Sequence, residues 1–199
     1  MQLLESLSEN GTQLDYRINS PGYCPQQFSW VRNDVLKAVL GGYAKVSRGQ
    51  LVKPAGIWLS GNEGWARWCE AHYVSALSDT TPLKAHISPQ VKICELASLE
   101  DLMAVSEAVG AFPANLREME RRNVDEIGRM NTAFFEAVGR IYGGIHLQPS
   151  GVTSLYDFFV WDCDSTVVLG PENVSFELLT RNELQQLGWG HYGWIQAKD

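Results

Sequence analysis

The sequence has few basic residues and no long apolar run. Lys and Arg number 16 against 23 Asp and Glu, which gives a formal net charge of −7. Nucleic acids and anionic membranes attract cationic proteins, so this balance disfavours both as general partners. No stretch approaches the roughly 18 consecutive apolar residues that a membrane-spanning helix needs. We therefore expect neither a nucleic-acid nor a membrane partner.

Paired cysteines and nucleotide-binding glycine motifs are also missing. Cys24, Cys69, Cys94 and Cys163 lie far apart and form neither a C-x-x-C pair nor a Cys/His cluster, so we expect no metal site. No G-x-G-x-x-G directly follows a predicted strand, and no G-x-x-x-x-G-K-[ST] occurs, which leaves Rossmann and P-loop sites without support. Residues 1–11 carry acids and no apolar signal-peptide core, so we expect a cytoplasmic protein with reduced thiols.

The hydrophobic pattern predicts an α+β fold. With 199 residues, 45% of them apolar, we expect a single domain over 1–199 in which the polar residues 1–12 are flexible. Predicted strands lie within 14–19, 52–60, 83–87, 91–96, 145–147, 154–162, 165–170 and 174–180. Predicted helices lie within 31–40, 65–76, 99–109 and 127–141. Ser98 with Asp101 and Asn123 with Glu126 resemble the N-terminal caps of the last two helices, and Gly110 ends the first of these two. This order of elements favours mostly antiparallel pairing rather than a doubly wound sheet.

The most specific segment is GIWLSGNEGWARWCE, which begins at Gly56. It resembles the second core segment of ADP-ribosyltransferases, in which a glycine, an isoleucine and an aromatic residue on a strand precede a helix with another aromatic residue. The chain also resembles uncharacterised phage and bacterial proteins with the patterns K-P-x-G-[IL]-W-x-S…W-x-x-W-C and W-D-x-x-S. Both patterns are present, from Lys53 to Cys69 and from Trp161 to Ser165.

The resemblance implies a split, mostly antiparallel sheet with flanking helices and an NAD cleft between its halves. It also implies transfer of ADP-ribose from NAD to a macromolecular acceptor, such as a protein modified by a phage or bacterial effector. The family carries its catalytic groups on three strands. Arg17, in YRINS, matches the first, and Asp157, in LYDFFVWD, matches the acid of the third. WDCDS offers Asp162 and Asp164 as rivals, and Asp replaces the usual Glu, which shortens the reach by one methylene.

The second strand and its helix supply the other site residues that the resemblance implies. Trp58 and Ser60 would shape the nicotinamide pocket next to Gly56, and Trp65 or Trp68 would stack on the ligand. Each residue type has a chemical reason to be there. A carboxylate stabilises positive charge on the ribose, an arginine forks two hydrogen bonds to a phosphate or ribose, and an indole attracts the pyridinium ring.

Every one of these residues also has a plain structural interpretation. Arg17 would be a surface arginine on a strand, and Ser60 would cap a turn. Trp58, Trp65 and Trp68 would belong to the core, since their spacing fits a buried face. Acids at strand ends are usually solvated. The alternative function is accordingly a catalytically silent protein that binds or inhibits a host protein through its aromatic surface. A third hypothesis is hydrolysis of NAD, in which water replaces the acceptor.

Overall fold

The computed structural model describes residues 26–42, 54–61, 64–72, 74–115, 121–148 and 163–199, which form a mixed sheet with flanking helices. The strands are β1 (Gln27–Arg32), β2 (Ile57–Gly61), β3 (Thr80–Ile87), β4 (Ile93–Leu96), β5 (Gly144–Leu147), β6 (Ser165–Val168) and β7 (Val174–Leu178). The α-helices are α1 (Leu36–Leu40), α2 (Gly64–His72), α3 (Leu99–Val109), α4 (Val124–Gly139) and α5 (Arg181–Gln186). None of these helices is both long and apolar enough to cross a membrane.

The seven described strands lie in the order β4-β5-β6-β2-β1-β3-β7. β4 and β5 are parallel, and the other neighbouring pairs are antiparallel. The parallel pair is joined through α3 and α4, as a parallel connection requires a crossover. The α+β class and the mostly antiparallel pairing are therefore confirmed for the described part of the chain.

The pairing between β1 and β2 is much shorter than that of their other neighbours. Only Gln27 with Gly61 and Phe28 with Ser60 are in register between these two strands. β1 pairs with β3 over six residues, and β2 pairs with β6 over four. The sheet thus consists of two sections, β4-β5-β6-β2 and β1-β3-β7, which are hydrogen-bonded to each other over one short stretch.

One face of the first section is covered by α3 and α4. Strand alternation points Cys94, Ile145 and Val167 toward these helices, where they pack with a set of fully buried side chains. That set includes Leu102, Val105, Phe134 and Val138. The opposite face carries Ile57, Leu59 and Val168, which cluster with Ala85 of the second section. Apolar contacts therefore join the two sections where the strands themselves pair little.

The signals that begin both long helices and the glycine that ends α3 are confirmed. Ser98 and Asp101 form a reciprocal capping box at α3, and Gly110 ends the helix with a left-handed φ of 66°. Asn123 accepts a hydrogen bond from the backbone N–H of Glu126 at the start of α4. These caps were visible in the sequence because they depend on local residue types alone.

Two predicted elements are corrected by the structure. The helix predicted at 31–40 begins only at Leu36, because Val31 and Arg32 continue β1 and pair with Thr81 and Thr80 of β3. The helix predicted at 65–76 ends at His72, and 74–77 form a separate 3-10 turn. Long-range pairing decided the first case, since strand propensity depends on the neighbouring strand. The predicted strands at 14–19 and 154–162 lie outside the described residues.

Gly56 allows β2 to approach β6 closely, and this predicts a measurable effect of Gly56→Ala. An added Cβ would lie 2.5 Å from Val167 Cγ2 and 2.7 Å from the carbonyl oxygen of Val168. We expect a loss of about 1–3 kcal/mol in the free energy of unfolding, the usual effect of overpacking. Urea unfolding followed by tryptophan fluorescence measures it.

Gly193→Ala is the matched control, because nothing lies within 4 Å of a Cβ at that position. We expect its effect to stay within about 0.5 kcal/mol. Equal stability of the two variants would contradict the close packing of Gly56 against β6.

Candidate functional site

The two motif segments that are distant in the sequence are neighbours in the fold. β2 carries the first pattern and β6 begins at the end of the second, and Ser60 is in register with Ser165. The backbone N–H of Gly61 donates to the carbonyl oxygen of Asp164 at 3.4 Å. The backbone of Asp164 is therefore held at the end of β2, at the junction with the following helix α2.

The Asp164 side chain is held by a buried histidine. Its Oδ1 lies 2.6 Å from Nε2 of His146 on β5, a short distance typical of a hydrogen bond to a charged group. His146 is fully buried, whereas the Asp164 side chain is 38% exposed. Asp164 therefore presents the solvent-facing end of this pair.

A second carboxyl group, that of Glu95, lies near the other edge of the His146 ring. Glu95 on β4 is in register with His146, and its Oε1 is 3.9 Å from His146 Nδ1. Burial raises the pKa of Glu95, the negative charges of Asp101 and Asp164 raise it further, and the nearby His146 opposes this shift. We call Glu95, His146 and Asp164 the acid–histidine row. It runs from the edge strand β4 across β5 to Asp164, which directly precedes β6.

Strand register explains why these side chains share a face. Glu95 is paired with His146, His146 with Thr166, and Thr166 with Leu59, so the four positions form one line across the strands. Directly paired residues project to the same side of a sheet. The adjacent positions, including Cys94, project to the helix-covered face. Burial strongly raises the pKa of the Cys94 thiol, which disfavours a thiolate nucleophile there.

Ser60 and Trp58 project to the face opposite the acid–histidine row. Their positions alternate with Leu59, which lies in line with His146. Trp58 packs beside the core under α3 and α4, and its Nε1–H donates to the carbonyl oxygen of Pro54 at 3.3 Å. Ser60 is buried. The structure thus brings β2 next to β6 and the end of the W-D-x-x-S pattern, while Ser60 and His146, the partner of Asp164, project to opposite faces.

The two indoles of α2 pack on each other. The rings of Trp65 and Trp68 are stacked with centroids 5.2 Å apart and an interplanar angle of 14°. Both are partly buried against the cluster that contains Phe28 and Trp189.

Gly56 serves the close approach of β2 to β6 described above. Arg17, Asp157 and Asp162 lie outside the described residues.

A separate polar groove of about 390 Å³ lies between α2 and the C-terminal residues. Arg67 and Glu70 line it from α2, and His191 lines it from the other side. The hydroxyl of Tyr192 donates to Glu70, and burial together with the Glu70 charge raises the pKa of Tyr192. Trp189 and Tyr192, in this C-terminal segment, are buried. In the described residues, no group of three or more His, Cys, Asp or Glu is placed to hold a metal ion.

Sequence reasoning missed Glu95 and His146 as members of a site. The available signal was a titratable residue at the third position of two otherwise apolar runs, ICEL and GIHL. This signal can be interpreted only once the parallel register of β4 and β5 is known, because that register places Glu95 beside His146. Asp164 was recognised as a rival acid, but its histidine partner could not be identified from spacing.

Comparisons with known proteins add no relative to this picture. No protein-family model, curated protein or solved structure matches the chain. The likeness to ADP-ribosyltransferases is consequently confined to the residues already quoted. A function must be inferred from the contacts of the described side chains.

The raised pKa of Glu95 predicts how Glu95→Gln changes the pH dependence of stability. A carboxyl group that binds its proton more tightly in the folded state destabilises the fold as pH rises from its unfolded pKa of about 4.3 through its folded pKa. Glutamine removes this effect. We expect the free energy of unfolding of Glu95→Gln, relative to the original protein, to increase with pH over that window and then level off.

Urea unfolding between pH 4.5 and 7.5 measures this difference. Glu136→Gln, at an exposed position of α4, controls for the loss of one negative charge. A difference between Glu95→Gln and the original protein that falls as pH rises would contradict the burial effect at Glu95.

Proposed function

We propose that this protein transfers ADP-ribose from NAD to a macromolecular acceptor, with Asp164 as the carboxylate beside the reacting ribose. One observation carries the proposal. Asp164 is partly exposed, and both its backbone and its side chain are held where the start of β6 meets the end of β2. A carboxylate in a fixed position is the group that this chemistry needs most.

The reaction places a specific demand on that carboxylate. The bond between the ribose C1 and the nicotinamide nitrogen breaks, and its electron pair neutralises the pyridinium ring. Positive charge then develops on the sugar, as in glycoside hydrolysis. His146 engages Oδ1 of Asp164, which leaves Oδ2 to face the ribose. The acceptor's nucleophilic atom bonds to C1 and releases its proton to solvent.

We assign the NAD cleft to the junction of β1 and β2, in keeping with a split sheet of the ADP-ribosyltransferase type. The short pairing of these strands supports this assignment, because they are in register only at Gln27–Phe28 and Ser60–Gly61. If the register continued, Trp30 would face Trp58. Instead, the Trp30 ring packs against Trp189 and Tyr192, and the Trp58 ring packs beside the core under α3 and α4.

The proposal extends to the acceptor and the setting. The net charge of −7 favours a basic target protein, because opposite charges speed association. We retain the expected cytoplasmic location and phage or bacterial effector role as parts of the proposal. Arg17 would anchor the nucleotide, as the resemblance implies.

A different observation favours the alternative function, a silent interaction protein. Trp58 and Ser60 project away from the acid–histidine row, and Trp65 and Trp68 stack on each other. These side chains then serve packing and surface recognition rather than a nicotinamide pocket. The two functions differ in one property, since only the transferase consumes NAD.

The transferase proposal predicts that Asp164→Asn loses NAD chemistry. Incubation with labelled NAD and cell lysate should label a protein and release nicotinamide. We expect Asp164→Asn to lower the rate by about 100-fold or more, because it removes the charge that stabilises the developing cation. Asp34→Asn is the control, since Asp34 is an exposed acid paired with Arg32 beyond the far end of β1.

The same assay on Asp157→Asn and Asp162→Asn distinguishes the three acids. Full activity of Asp164→Asn together with loss in either of these variants would show that the assignment of Asp164 is wrong. Absence of labelling, of nicotinamide release and of an NAD-dependent rise in melting temperature in the original protein would refute the transferase and leave the interaction protein.

A further inference from the structure

The acid–histidine row contains a buried histidine that the proposed chemistry does not itself require. His146 is fully buried, so its ring cannot touch a substrate or the reacting ribose. The ring is hydrogen-bonded to Asp164, whose side chain is partly exposed to solvent. Any influence of His146 on a reaction must therefore pass through the Asp164 carboxylate.

We propose that His146 is a positioning residue that donates a hydrogen bond from Nε2 to Asp164 and thereby fixes the direction of its free oxygen. This inference rests on the proposed ADP-ribosyl transfer. It assigns the proton of the imidazole to Nε2 at the moment Asp164 acts as a carboxylate. A carboxylate held in one rotamer needs no reorganisation when charge develops on the ribose.

The backbone supports this arrangement from two directions. Asp164 directly precedes β6, and its carbonyl oxygen accepts a hydrogen bond from Gly61 N–H. His146 is held on β5, between β4 and β6, in register with Thr166. Rigid strand residues therefore carry both ends of the 2.6 Å contact. An aspartate held only by its backbone would sample several rotamers.

Glu95 adds an electrostatic reason for the orientation of the imidazole. Its carboxyl oxygen lies on the Nδ1 side of the ring at 3.9 Å, and the opposite edge of the ring faces Asp164. The buried ring thus lies between two carboxyl groups on neighbouring strand segments. The Glu95 contact is longer than a hydrogen bond and acts on the ring through charge, whereas the 2.6 Å contact with Asp164 holds its Nε2 edge in place.

Two substitutions separate positioning from simple packing. His146→Gln keeps an N–H donor at a similar reach, whereas His146→Phe keeps an aromatic ring of similar volume without a donor. We expect His146→Phe to lower kcat for nicotinamide release by about 10- to 100-fold, the usual effect of removing a supporting partner. We expect KM for NAD to change by less than about twofold, and His146→Gln to recover most of kcat. Melting curves of both variants verify folding.

A direct measurement tests the hydrogen bond without relying on activity. In 15N NMR spectra of the folded protein, we expect the His146 ring to carry its proton on Nε2, and Asp164→Asn to shift that resonance. Asp34→Asn should leave it unchanged. A proton on Nδ1 alone, or no shift in Asp164→Asn, would overturn the inference even if the enzyme is active.

The outcomes separate this inference from the transferase proposal. If Asp164→Asn is inactive while His146→Phe keeps the original kcat, the transferase stands and the positioning role is wrong. If the original protein releases no nicotinamide but the NMR result is as expected, the transferase fails and the orientation of Asp164 by His146 stands. If His146→Phe does not fold, His146→Gln and the NMR spectra decide.

Discussion

The pairing of β2 with β6 is the constraint on which the rest of the structure depends. β2 lies inside the sheet, with β6 on one side and β1 on the other. Its close approach to β6 requires the missing side chain of Gly56, and its last residue, Gly61, holds the backbone of Asp164. The strand therefore places the acid, fixes the face on which it projects and connects the two sections of the sheet.

The sheet stays continuous across a junction with little strand pairing. Two residue pairs between β1 and β2 supply few backbone hydrogen bonds. Apolar contacts on one face compensate, because Leu59 and Val168 of one section cluster with Ala85 of the other. Burial of such side chains contributes roughly 25 cal/mol for each Å² removed from water, without demanding strand register. Side-chain contacts therefore hold the two sections together with few hydrogen bonds between β1 and β2.

Local signals in the sequence predicted much of the fold, and long-range pairing accounts for what they missed. The caps of α3 and α4 and the positions of β5, β6 and β7 follow from residue types within a few positions. The end of β1 was predicted as helix because Val31 and Arg32 are strand residues only through their pairing with β3. For the site, the motifs indicated that Ser60 and Asp164 belong to one region. Whether these side chains project to the same face depends on which residues of β2 and β6 are paired, and the motifs do not specify that pairing.

The acid–histidine row is better explained by function than by stability. A glutamate and a histidine interrupt two short buried strands in which every other residue is apolar or glycine, apart from Cys94. Burying such groups carries a desolvation penalty that well-packed apolar residues avoid. The penalty is reduced stepwise along the row, since Glu95 faces His146 and His146 bonds to Asp164. The row ends at the carboxylate of Asp164, which contacts solvent. The buried groups of Glu95 and His146 therefore influence a carboxylate at the surface.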